Sequence, residues 1–297
     1  MSFADLWKEG ARPTVSFELY PQRDPRKAGR LEKRIGELAK LKPDFFSVTF
    51  GAGGTTREGS LTLVESLRKK HHMRVLPYFA CIGLGPGEID QTLDRFSRLG
   101  VESVLCVRGD EPVQVESFEK HPDSFDHADQ LIAYVNRQYD FIIGTAGYPE
   151  VHREAASLDE DIRYLKGKVE AGARYIITQY FFDNQCFYRF RERCRREGID
   201  VPILAGVLPV YSVPVLRNLS RLCGATITYD LQEGLDSIDI SDRGEVHHFG
   251  VGFAIQQCAD LIQNRVDGIH FYTLNRVKSV RDILSGLRAA GLLGTPC

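Results

Sequence analysis

The amino-acid sequence predicts a single-domain α/β protein, a (β/α)8 TIM barrel. Eight short apolar runs recur along its 297 residues, and amphipathic stretches with helical spacing separate them. Strand–helix units repeated in this way with short connections are typical of such a barrel. The rival fold, an open doubly wound sheet, favours a glycine-rich turn after the first strand, but Glu18-Leu19-Tyr20-Pro21 follows it here. No linker interrupts the pattern, so we expect residues 1–297 to form one domain.

The strands are predicted from β-branched apolar runs, taken in chain order. They fall at about 14–18, 45–49, 74–80, 102–107, 141–146, 174–179, 202–207 and 268–272. A helix is expected between each pair of consecutive strands, and the segment from about 212 to 265 is long enough to hold more than one.

The helices are predicted from apolar residues three or four positions apart, as in Leu31, Ile35, Leu38 and Leu41. Ser157 with Glu160 forms a capping-box pattern that opens the helix after the fifth strand. A glycine follows four of the helical segments, and we predict that each glycine ends its helix in the left-handed conformation. These glycines are Gly100, Gly172, Gly198 and Gly268.

Composition excludes several classes of protein. The formal net charge is -2, from 38 basic and 40 acidic residues that are well mixed, which argues against a nucleic-acid partner or a membrane surface. The amino terminus has no apolar signal core, and no apolar run approaches membrane-spanning length. Seven cysteines without a Cys-x-x-Cys pair indicate buried thiols in a reducing cytoplasm, with neither disulfides nor a metal site.

Most of the apolar runs end in a charged, amide or aromatic residue. In a parallel barrel the carboxyl ends of all strands converge on one face, and that face carries the chemistry. Polar groups scattered over the whole sequence would therefore meet in one pocket, which is typical of an enzyme. The segments concerned include Ser16-Phe17-Glu18-Leu19-Tyr20-Pro21, Arg108-Gly109-Asp110, Tyr148-Pro149-Glu150-Val151-His152, Thr178-Gln179-Tyr180-Phe181-Phe182-Asp183 and Phe271-Tyr272-Thr273-Leu274-Asn275-Arg276.

Together, and in this order, these five segments resemble the methylenetetrahydrofolate reductase family in its bacterial form, from about residue 12 to residue 280. The resemblance implies a (β/α)8 barrel that holds FAD. It also implies that NADH or NADPH reduces the flavin, which then passes hydride to 5,10-methylenetetrahydrofolate and gives 5-methyltetrahydrofolate. By analogy with the family, we expect a homo-oligomer.

Glu18 matches the general acid of that family. The bridging methylene of the folate leaves one nitrogen only when that nitrogen is protonated, which creates an iminium able to accept hydride. A carboxyl group beside Phe17 and Tyr20 at a strand end is partly desolvated, and desolvation raises its pKa toward neutrality. Without the resemblance, a salt bridge to an arginine of the barrel or a helix-capping contact would be alternative roles for Glu18.

Three further residues match positions that contact the folate. Asp110 is expected between flavin and pterin, where it would bind substrate and oppose the negative charge of reduced flavin. Gln179 carries two donors and one acceptor, which suits the edge of a pterin, although such an amide also satisfies backbone groups. Arg276 suits the glutamate carboxylate of folate, because guanidinium binds carboxylates in a bidentate fashion.

The positions that match the FAD site lie in five segments. A glycine-rich stretch after the second strand, Gly51–Thr56, could present backbone N–H groups to a phosphate or could be only a flexible loop. Asp161 and Lys168 are seven residues apart, so they share one helix face and could reach the adenosine and phosphate oxygens or form an exposed pair. The matching residues are Thr49, Phe50, Gly51, Ala52, Tyr78, Arg108, Gly109, Asp110, Tyr148, His152, Asp161 and Lys168.

Five residues depart from the family pattern. Tyr78 stands where a histidine is common, and Tyr164 and Gly167 stand where polar and basic residues usually meet the adenosine diphosphate part of FAD. Val215 replaces an expected glutamine, and Leu219 replaces an aromatic residue that stacks on the nicotinamide nucleotide in some members. These departures affect the electron donor more than the folate chemistry, so the donor could be NADH, NADPH or a redox partner protein.

Two other functions compete with a folate reductase. One is a related flavin barrel that oxidises a different amine, as a proline dehydrogenase does; Gln179 and Arg276 favour folate over it. The other is a folate-binding or electron-transfer subunit that works only with a partner chain.

Overall fold

The computed structural model describes residues 3–8, 12–22, 24, 26, 28–50, 54–110 and 118–294, and in residues 54–56 it describes the backbone alone. Eight parallel strands form a closed barrel in sequence order, which confirms the predicted fold class. Every predicted strand boundary lies within one residue of the observed one. The strands are β1 (Thr14–Leu19), β2 (Phe45–Val48), β3 (Val75–Ala80), β4 (Ser103–Val107), β5 (Ile142–Gly147), β6 (Tyr175–Tyr180), β7 (Ile203–Val207) and β8 (Gly268–Phe271).

Helices surround the barrel, and the connection between β7 and β8 holds three of them, as predicted for residues 212–265. The helices are α1 (Ala28–Ala39), α2 (Gly54–Lys69), α3 (Pro86–Arg98), α4 (Ala128–Gln138), α5 (Leu158–Glu170), α6 (Asn184–Arg196), α7 (Val213–Cys223), α8 (Tyr229–Asp236), α9 (Arg243–Gln263) and α10 (Val277–Ala289). The extent of the domain over the full 1–297 stays a prediction.

Side chains that alternate along each strand divide the core into two regions. Val15 and Phe17 of β1 face outward and join the large apolar cluster against the helices, which includes Ile35 of α1. Ser16 and Glu18 face the interior of the barrel, because alternate residues of a strand point to opposite sides. Inward-facing polar side chains are therefore carried on the same strands that hold the apolar core.

A short 3-10 helix, Phe3–Asp5, closes the amino end of the barrel. The Phe3 ring packs against Phe45 and Tyr175 at centroid distances of 5.1 and 5.7 Å. The backbone N–H of Phe3 donates to the Glu102 carboxylate at 2.7 Å, and Trp7 stacks on Tyr175 at 4.9 Å. Aromatic side chains thus fill the floor of the barrel and leave the opposite end for the site.

The glycine prediction holds for three positions and is wrong for the fourth. Gly100, Gly172 and Gly198 have positive φ, but in the segment before β8 it is Arg265 that takes the left-handed conformation, with φ of 55°. Gly268 is the first residue of β8, where a Cβ would overlap Thr14 Oγ1 on the neighbouring β1. Close contact between two strands, rather than a helix end, requires glycine there.

Candidate active site

A cavity of about 290 Å³ opens at the carboxyl ends of the strands, where the sequence predicted the site. It brings together eight of the predicted site residues, from β1, β3, β6 and the segments that follow β4 and β5. They are Glu18, Tyr78, Arg108, Gly109, Asp110, Tyr148, His152 and Gln179, and the rest of the lining is Tyr272, Leu105, Val107, Ala146 and Ile177.

Glu18 is the buried acid of this cavity, with 9% of the residue exposed. Burial raises the pKa of its carboxyl group to about 7, and a hydrogen bond from Tyr78 acts in the opposite direction. The strand end that carries Glu18 is held to the segment that follows β8, because the Thr273 hydroxyl donates to the Glu18 carbonyl oxygen at 2.6 Å. A carboxyl group with this pKa is present in both protonation states at neutral pH, which suits proton transfer.

Beneath Glu18, a histidine lies in the centre of the barrel. His270 of β8 is fully buried, and burial lowers its pKa to about 3, so its ring is neutral. Its Nδ1 lies 2.8 Å from Ser16 Oγ, and its Nε2 lies 3.2 Å from both Ser47 Oγ and the Tyr78 hydroxyl. Tyr78 therefore connects the acid to a chain of polar groups that runs into the barrel.

Two ion pairs cross between the loops that follow β4 and β5. Arg108 donates to both carboxylate oxygens of Glu154, at 2.6 and 2.8 Å, and Arg153 donates to Asp110 at 3.4 Å. The hydrogen bonds to Glu154 are the largest cause of a raised pKa at Arg108. Both pairs are largely solvent-exposed, so they orient the loops more than they stabilise the fold.

A second cavity of about 430 Å³ continues from the first and shares Arg108, Tyr148 and His152 with it. Asp161 and Lys168 line it from one face of α5, as their spacing predicted. Neither is an exposed surface residue: the Asp161 carboxylate accepts the His152 backbone N–H at 2.9 Å, and Lys168 Nζ donates to the Ala146 carbonyl at 3.1 Å. Burial is the main cause of a raised pKa at Asp161 and a lowered one at Lys168.

The helix that carries this pair begins as predicted. Ser157 is its N-cap, and its hydroxyl accepts the backbone N–H of Glu160 at 3.2 Å. The Glu160 carboxylate reaches back to the N–H of Ala156 at 2.7 Å, one residue before the N-cap. Both contacts anchor the loop that leads from Tyr148 and His152 into α5.

Other predicted site residues lie outside the lining of these two cavities. Phe50 is buried in the apolar core, where its ring packs against Phe79 at 5.5 Å, and the Thr49 carbonyl accepts the Ser60 hydroxyl at 2.7 Å. Arg276 is exposed at the start of α10, with its guanidinium 3.8 Å from the centroid of the Tyr211 ring. Gly51 and Ala52 lie outside the described residues.

Gln179 lines the first cavity, but its amide oxygen is already engaged. That oxygen accepts the backbone N–H of Tyr180 at 3.0 Å. A bidentate contact with a ring edge would need this hydrogen bond to be shared or broken, so the amide N–H groups are the part best placed to bind.

The positions that depart from the family pattern fall in different places. Tyr164 and Gly167 line the second cavity, and a side chain at Gly167 would meet open space. Leu219 is not part of the lining of either cavity. It packs on α7 against a separate apolar cluster that includes Leu216 and Leu231.

Sequence reasoning missed three contributors to the site. His270 was part of the eighth apolar run, and the period-two alternation of Gly268, His270 and Tyr272 is the signal that could have placed it inside the barrel. Arg153 and Glu154 carry the crossed ion pairs. Their partners depend on loop conformation, for which the sequence has no periodic signal.

Fold and cavity together define a class: (β/α)8-barrel proteins with a buried acid and converging polar groups at the carboxyl ends of the strands. The family model for methylenetetrahydrofolate reductase matches residues 4–288. The chain belongs to the methylenetetrahydrofolate reductase family.

Individual relatives agree with this family. The chain is 33% identical over 265 residues to the 5,10-methylenetetrahydrofolate reductase of Escherichia coli, which covers 89% of this chain and 87% of the relative. It is 30% identical over 290 residues to methylenetetrahydrofolate reductase (NADH) 1 of Arabidopsis thaliana, covering 94% of this chain and 49% of the relative. The chain thus spans about half the length of the plant relative and of a Schizosaccharomyces pombe relative, methylenetetrahydrofolate reductase 2, of which it covers 45%.

Solved structures share the fold. An uncharacterised protein from Clostridium thermocellum that binds two copies of 5-methyl-5,6,7,8-tetrahydrofolic acid superposes with a TM-score of 0.60 at 16% identity, covering 94% of this chain and 95% of that one. A dihydropteroate synthase from Xanthomonas albilineans superposes with a TM-score of 0.54 at 13% identity, covering 96% and 94%. At these identities the likeness shows the barrel fold alone.

None of the helices in the described ranges is long and apolar enough to cross a membrane. Within the same ranges, no group of three or more His, Cys, Asp or Glu residues is arranged to hold a metal ion.

Proposed function

We propose that this chain reduces 5,10-methylenetetrahydrofolate to 5-methyltetrahydrofolate with FAD as its cofactor. Membership of the family supports the reaction. The observation that carries the proposal is Glu18, a buried carboxyl group with a pKa of about 7 at the carboxyl ends of the strands. We also infer from the family resemblance that the protein works in the cytoplasm as a homo-oligomer.

Glu18 would act as the general acid. At neutral pH a large fraction of its carboxyl groups holds a proton, which an ordinary exposed glutamate would have lost. Transfer of that proton to the folate nitrogen lets the bridging methylene open to an iminium. The tyrosines that line the cavity exclude water from Glu18, so the proton is kept for the substrate.

The two joined cavities offer suitable groups for FAD. Lys168 and Arg108 supply cationic donors for phosphate oxygens, Tyr148 and His152 supply aromatic surfaces, and Gly109, with φ of 85°, permits close backbone approach. Thr49, Phe50, Gly51, Ala52, Tyr78, Asp110 and Asp161 complete the proposed set. When bound, FAD would supply the hydride that reduces the folate.

The folate would be held by Asp110, Gln179 and Arg276. Asp110 and Gln179 face the cavity beside Glu18, within reach of a ring that presents N–H and carbonyl groups. Arg276 lies at the exposed start of α10, where a flexible glutamate tail would meet it. Its guanidinium rests on the Tyr211 ring and is thereby held in place for a carboxylate.

One experiment tests this proposal directly. The purified protein is loaded with FAD, reduced under anaerobic conditions with NADH or NADPH, and mixed with 5,10-methylenetetrahydrofolate in a stopped-flow instrument. We expect the flavin absorbance to bleach with the nucleotide and to return with the folate. A reduced flavin that folate does not reoxidise, or a protein that does not retain FAD, would contradict the proposal.

The Glu18→Gln variant separates the acid from the rest of the site. We expect its flavin spectrum and its reduction by NADH to match the wild type, while reoxidation by the folate slows by about 10²–10⁴-fold, because an amide cannot donate the proton. Normal reoxidation in the variant would remove Glu18 from the proposed role.

Leu219 bears on the electron donor and supports a second candidate function. Leu219 packs into an apolar cluster of the protein and has no ring to stack on a nicotinamide. Without such a stack, worth about 0.5–1.5 kcal/mol, we expect weaker binding of NADH, about tenfold at the upper end of that range. The alternative is a folate barrel that receives electrons from a redox partner protein.

Half-reactions distinguish the two donors. If a protein is the donor, flavin reduced photochemically will be reoxidised by folate at a normal rate, while NADH and NADPH reduce it slowly. Leu219→Phe should then speed the nucleotide half-reaction alone. Fast, saturable reduction by NADH in the wild type, unchanged in Leu219→Phe, would rule out the proposed role of this position.

Gly167 offers a test of the second cavity. Because a side chain there would meet open space beside the cavity, Gly167→Arg should add one charge-assisted hydrogen bond to a bound diphosphate. A bond worth about 1.5–3 kcal/mol would tighten FAD binding by about 10–150-fold. Gly167→Ala is the matched control, since it alters the helix without adding charge, and equal FAD affinity in both variants would place the diphosphate elsewhere.

A further inference from the structure

Tyr78 lies between two acceptors that compete for its single proton, and the Ser47 hydroxyl is also hydrogen-bonded to it. Its hydroxyl is hydrogen-bonded to the Glu18 carboxyl group and lies 3.2 Å from His270 Nε2. A phenol donates one hydrogen bond and accepts others, so it can donate to only one of these groups at a time. Burial holds the pKa of Tyr78 well above its usual range, so the phenol stays neutral.

The position of the ring proton of His270 depends on which group receives the Tyr78 hydrogen bond. The ring is neutral above about pH 5 and therefore carries one proton, on either Nδ1 or Nε2. Ser16 Oγ lies 2.8 Å from Nδ1, and a serine hydroxyl can either donate or accept. The position of the ring proton is consequently set by Tyr78, Ser16 and Ser47, which are the three hydroxyls around it.

We propose that Tyr78 is a positioning residue that links the protonation state of Glu18 to the tautomer of His270. When Glu18 is ionised, Tyr78 donates to its carboxylate, and His270 Nε2–H donates to the Tyr78 oxygen while Nδ1 accepts from Ser16. When Glu18 is protonated, Tyr78 donates to Nε2, and Nδ1–H donates to Ser16, whose own proton turns to the Ile269 carbonyl at 3.4 Å.

Every proton is accounted for in the change between the two states. They differ by one proton, which Glu18 takes from solvent, and by the transfer of one proton between the ring nitrogens of His270. The hydroxyls of Tyr78 and Ser16 stay neutral in both states. For the reaction, a role that rests on the proposed function, Tyr78 would turn to Glu18 as the acid gives up its proton and would stabilise the resulting carboxylate.

Other titratable groups line the cavity beside Glu18 or lie near its tyrosines. Tyr180 of β6 and Tyr272, directly after β8, have raised pKa values, mainly because of burial, and so stay neutral. Burial lowers the pKa of His152, and it raises that of Tyr148 to about 12. Arg108, Asp110 and the Cys223 thiol of α7 complete the set.

Nuclear magnetic resonance on the flavin-free full chain tests the link without relying on the proposed function. The protein carries ¹³C in its glutamate side chains and ¹⁵N in its histidine rings. Loss of a signal in Glu18→Gln assigns Glu18, and His270 is the ring that stays neutral down to pH 5. We expect the tautomer of His270 to change with the same midpoint, near pH 7, at which Glu18 titrates.

The Tyr78→Phe variant should uncouple the two groups. Loss of the hydrogen bond to the carboxylate should raise the Glu18 midpoint by about one pH unit, and the His270 tautomer should no longer follow it. Tyr175→Phe is the matched control: it removes another buried hydroxyl of the barrel, which bonds Ser103 at 2.8 Å on the floor, and should change neither signal.

Three results would overturn the proposal: a constant His270 tautomer while Glu18 titrates in the wild type, unchanged midpoints in Tyr78→Phe, or a tautomer that still varies with pH in Glu18→Gln. The first and third stand even if Tyr78→Phe fails to fold.

In the flavin-loaded enzyme, Tyr78→Phe should move the alkaline limb of folate-driven reoxidation upward by the same pH interval. A link seen by resonance in a chain without folate activity would contradict the proposed function and leave this inference intact.

Discussion

Glu18 makes the folded protein less stable as the pH rises. Burial raises its folded-state pKa from 4.5 to about 7, so the folded state binds its proton more tightly than the unfolded state does. Below about pH 4.5 the group is protonated in both states and has no net effect. Between pH 4.5 and 7 the unfolded chain loses its proton first, and stability falls by about 3 kcal/mol in total. A buried acid of this kind is retained at a cost to stability.

Glu18→Gln should therefore stabilise the protein at pH 8 and have little effect at pH 4. The amide keeps the shape of the protonated acid and cannot ionise, so the gain at pH 8 should approach about 3 kcal/mol. Urea unfolding at both pH values measures it. Glu37→Gln, on the exposed face of α1, is the control and should show no such difference. A variant that is no more stable than the wild type at pH 8 would show that Glu18 is not strained by burial.

Glu154 is expected to oppose the binding of an anionic cofactor, because its carboxylate accepts hydrogen bonds from both terminal nitrogens of the Arg108 guanidinium. Glu154→Gln should leave stability within about 0.5 kcal/mol, since the ion pair is exposed. FAD binding should tighten several-fold, because Arg108 becomes available to phosphate. Equilibrium titration by flavin fluorescence measures the affinity, with Glu37→Gln again as the control. Weaker binding in Glu154→Gln would indicate that the carboxylate instead helps to orient Arg108.

Among the elements, α9 depends on one glycine for its packing. A Cβ at Gly250 would overlap the carbonyl oxygen of Val210, in the segment between β7 and α7. Backbone cannot move aside as a side chain does, so the helix approaches this segment only with glycine at the contact. Gly252, two residues later on the same helix, meets nothing within 4 Å and is exposed.

The two glycines should respond in opposite directions to alanine. Gly250→Ala should destabilise the protein by about 2–3 kcal/mol, because α9 must move away from Val210. Gly252→Ala should stabilise it by about 0.5–1 kcal/mol, because alanine is the better helix former. Thermal unfolding of the two variants measures both effects. Equal effects in the two variants would mean that the contact at Gly250 is not tight.

The sequence predicted the strands better than the loops. Parallel strands are buried on both faces, so a strand such as β4 appears as an apolar run with sharp ends. Gly268 was misassigned because a glycine after a helix and a glycine at a crowded strand contact look alike in one sequence. The alternation along the strands can predict that Glu18, Tyr78 and His270 point into the barrel. It cannot predict the distances between them, because those depend on how the barrel closes.

For the whole molecule, the contact between β1 and β8 closes the barrel. Thr14 pairs with Gly268 across 254 residues of chain, and the strands between them must be in place before this contact forms. The fit is tight, because a Cβ at Gly268 would overlap Thr14 Oγ1. The closing contact therefore tolerates little added volume.

Gly268→Ala should destabilise the protein by about 1–3 kcal/mol. Thr14→Ala removes the atom that the new methyl group would meet, so the double variant should recover part of the loss. A double-mutant cycle by urea unfolding measures the coupling, which we expect to be at least about 0.5 kcal/mol. Additive effects would show that the new methyl group is opposed by Leu204 or the Thr14 backbone, not by the Thr14 side chain.

The fluorescence of the single tryptophan of the chain reports on the floor of the barrel. Trp7 stacks on Tyr175, and its indole N–H donates to Thr14 at 3.2 Å, at the end opposite the site. A strand of six residues is about 20 Å long, so a coloured ligand at the mouth would lie within range of energy transfer but out of contact. Quenching of tryptophan emission without a shift in wavelength would then report occupancy of the mouth, and a red shift would report opening of the floor to water.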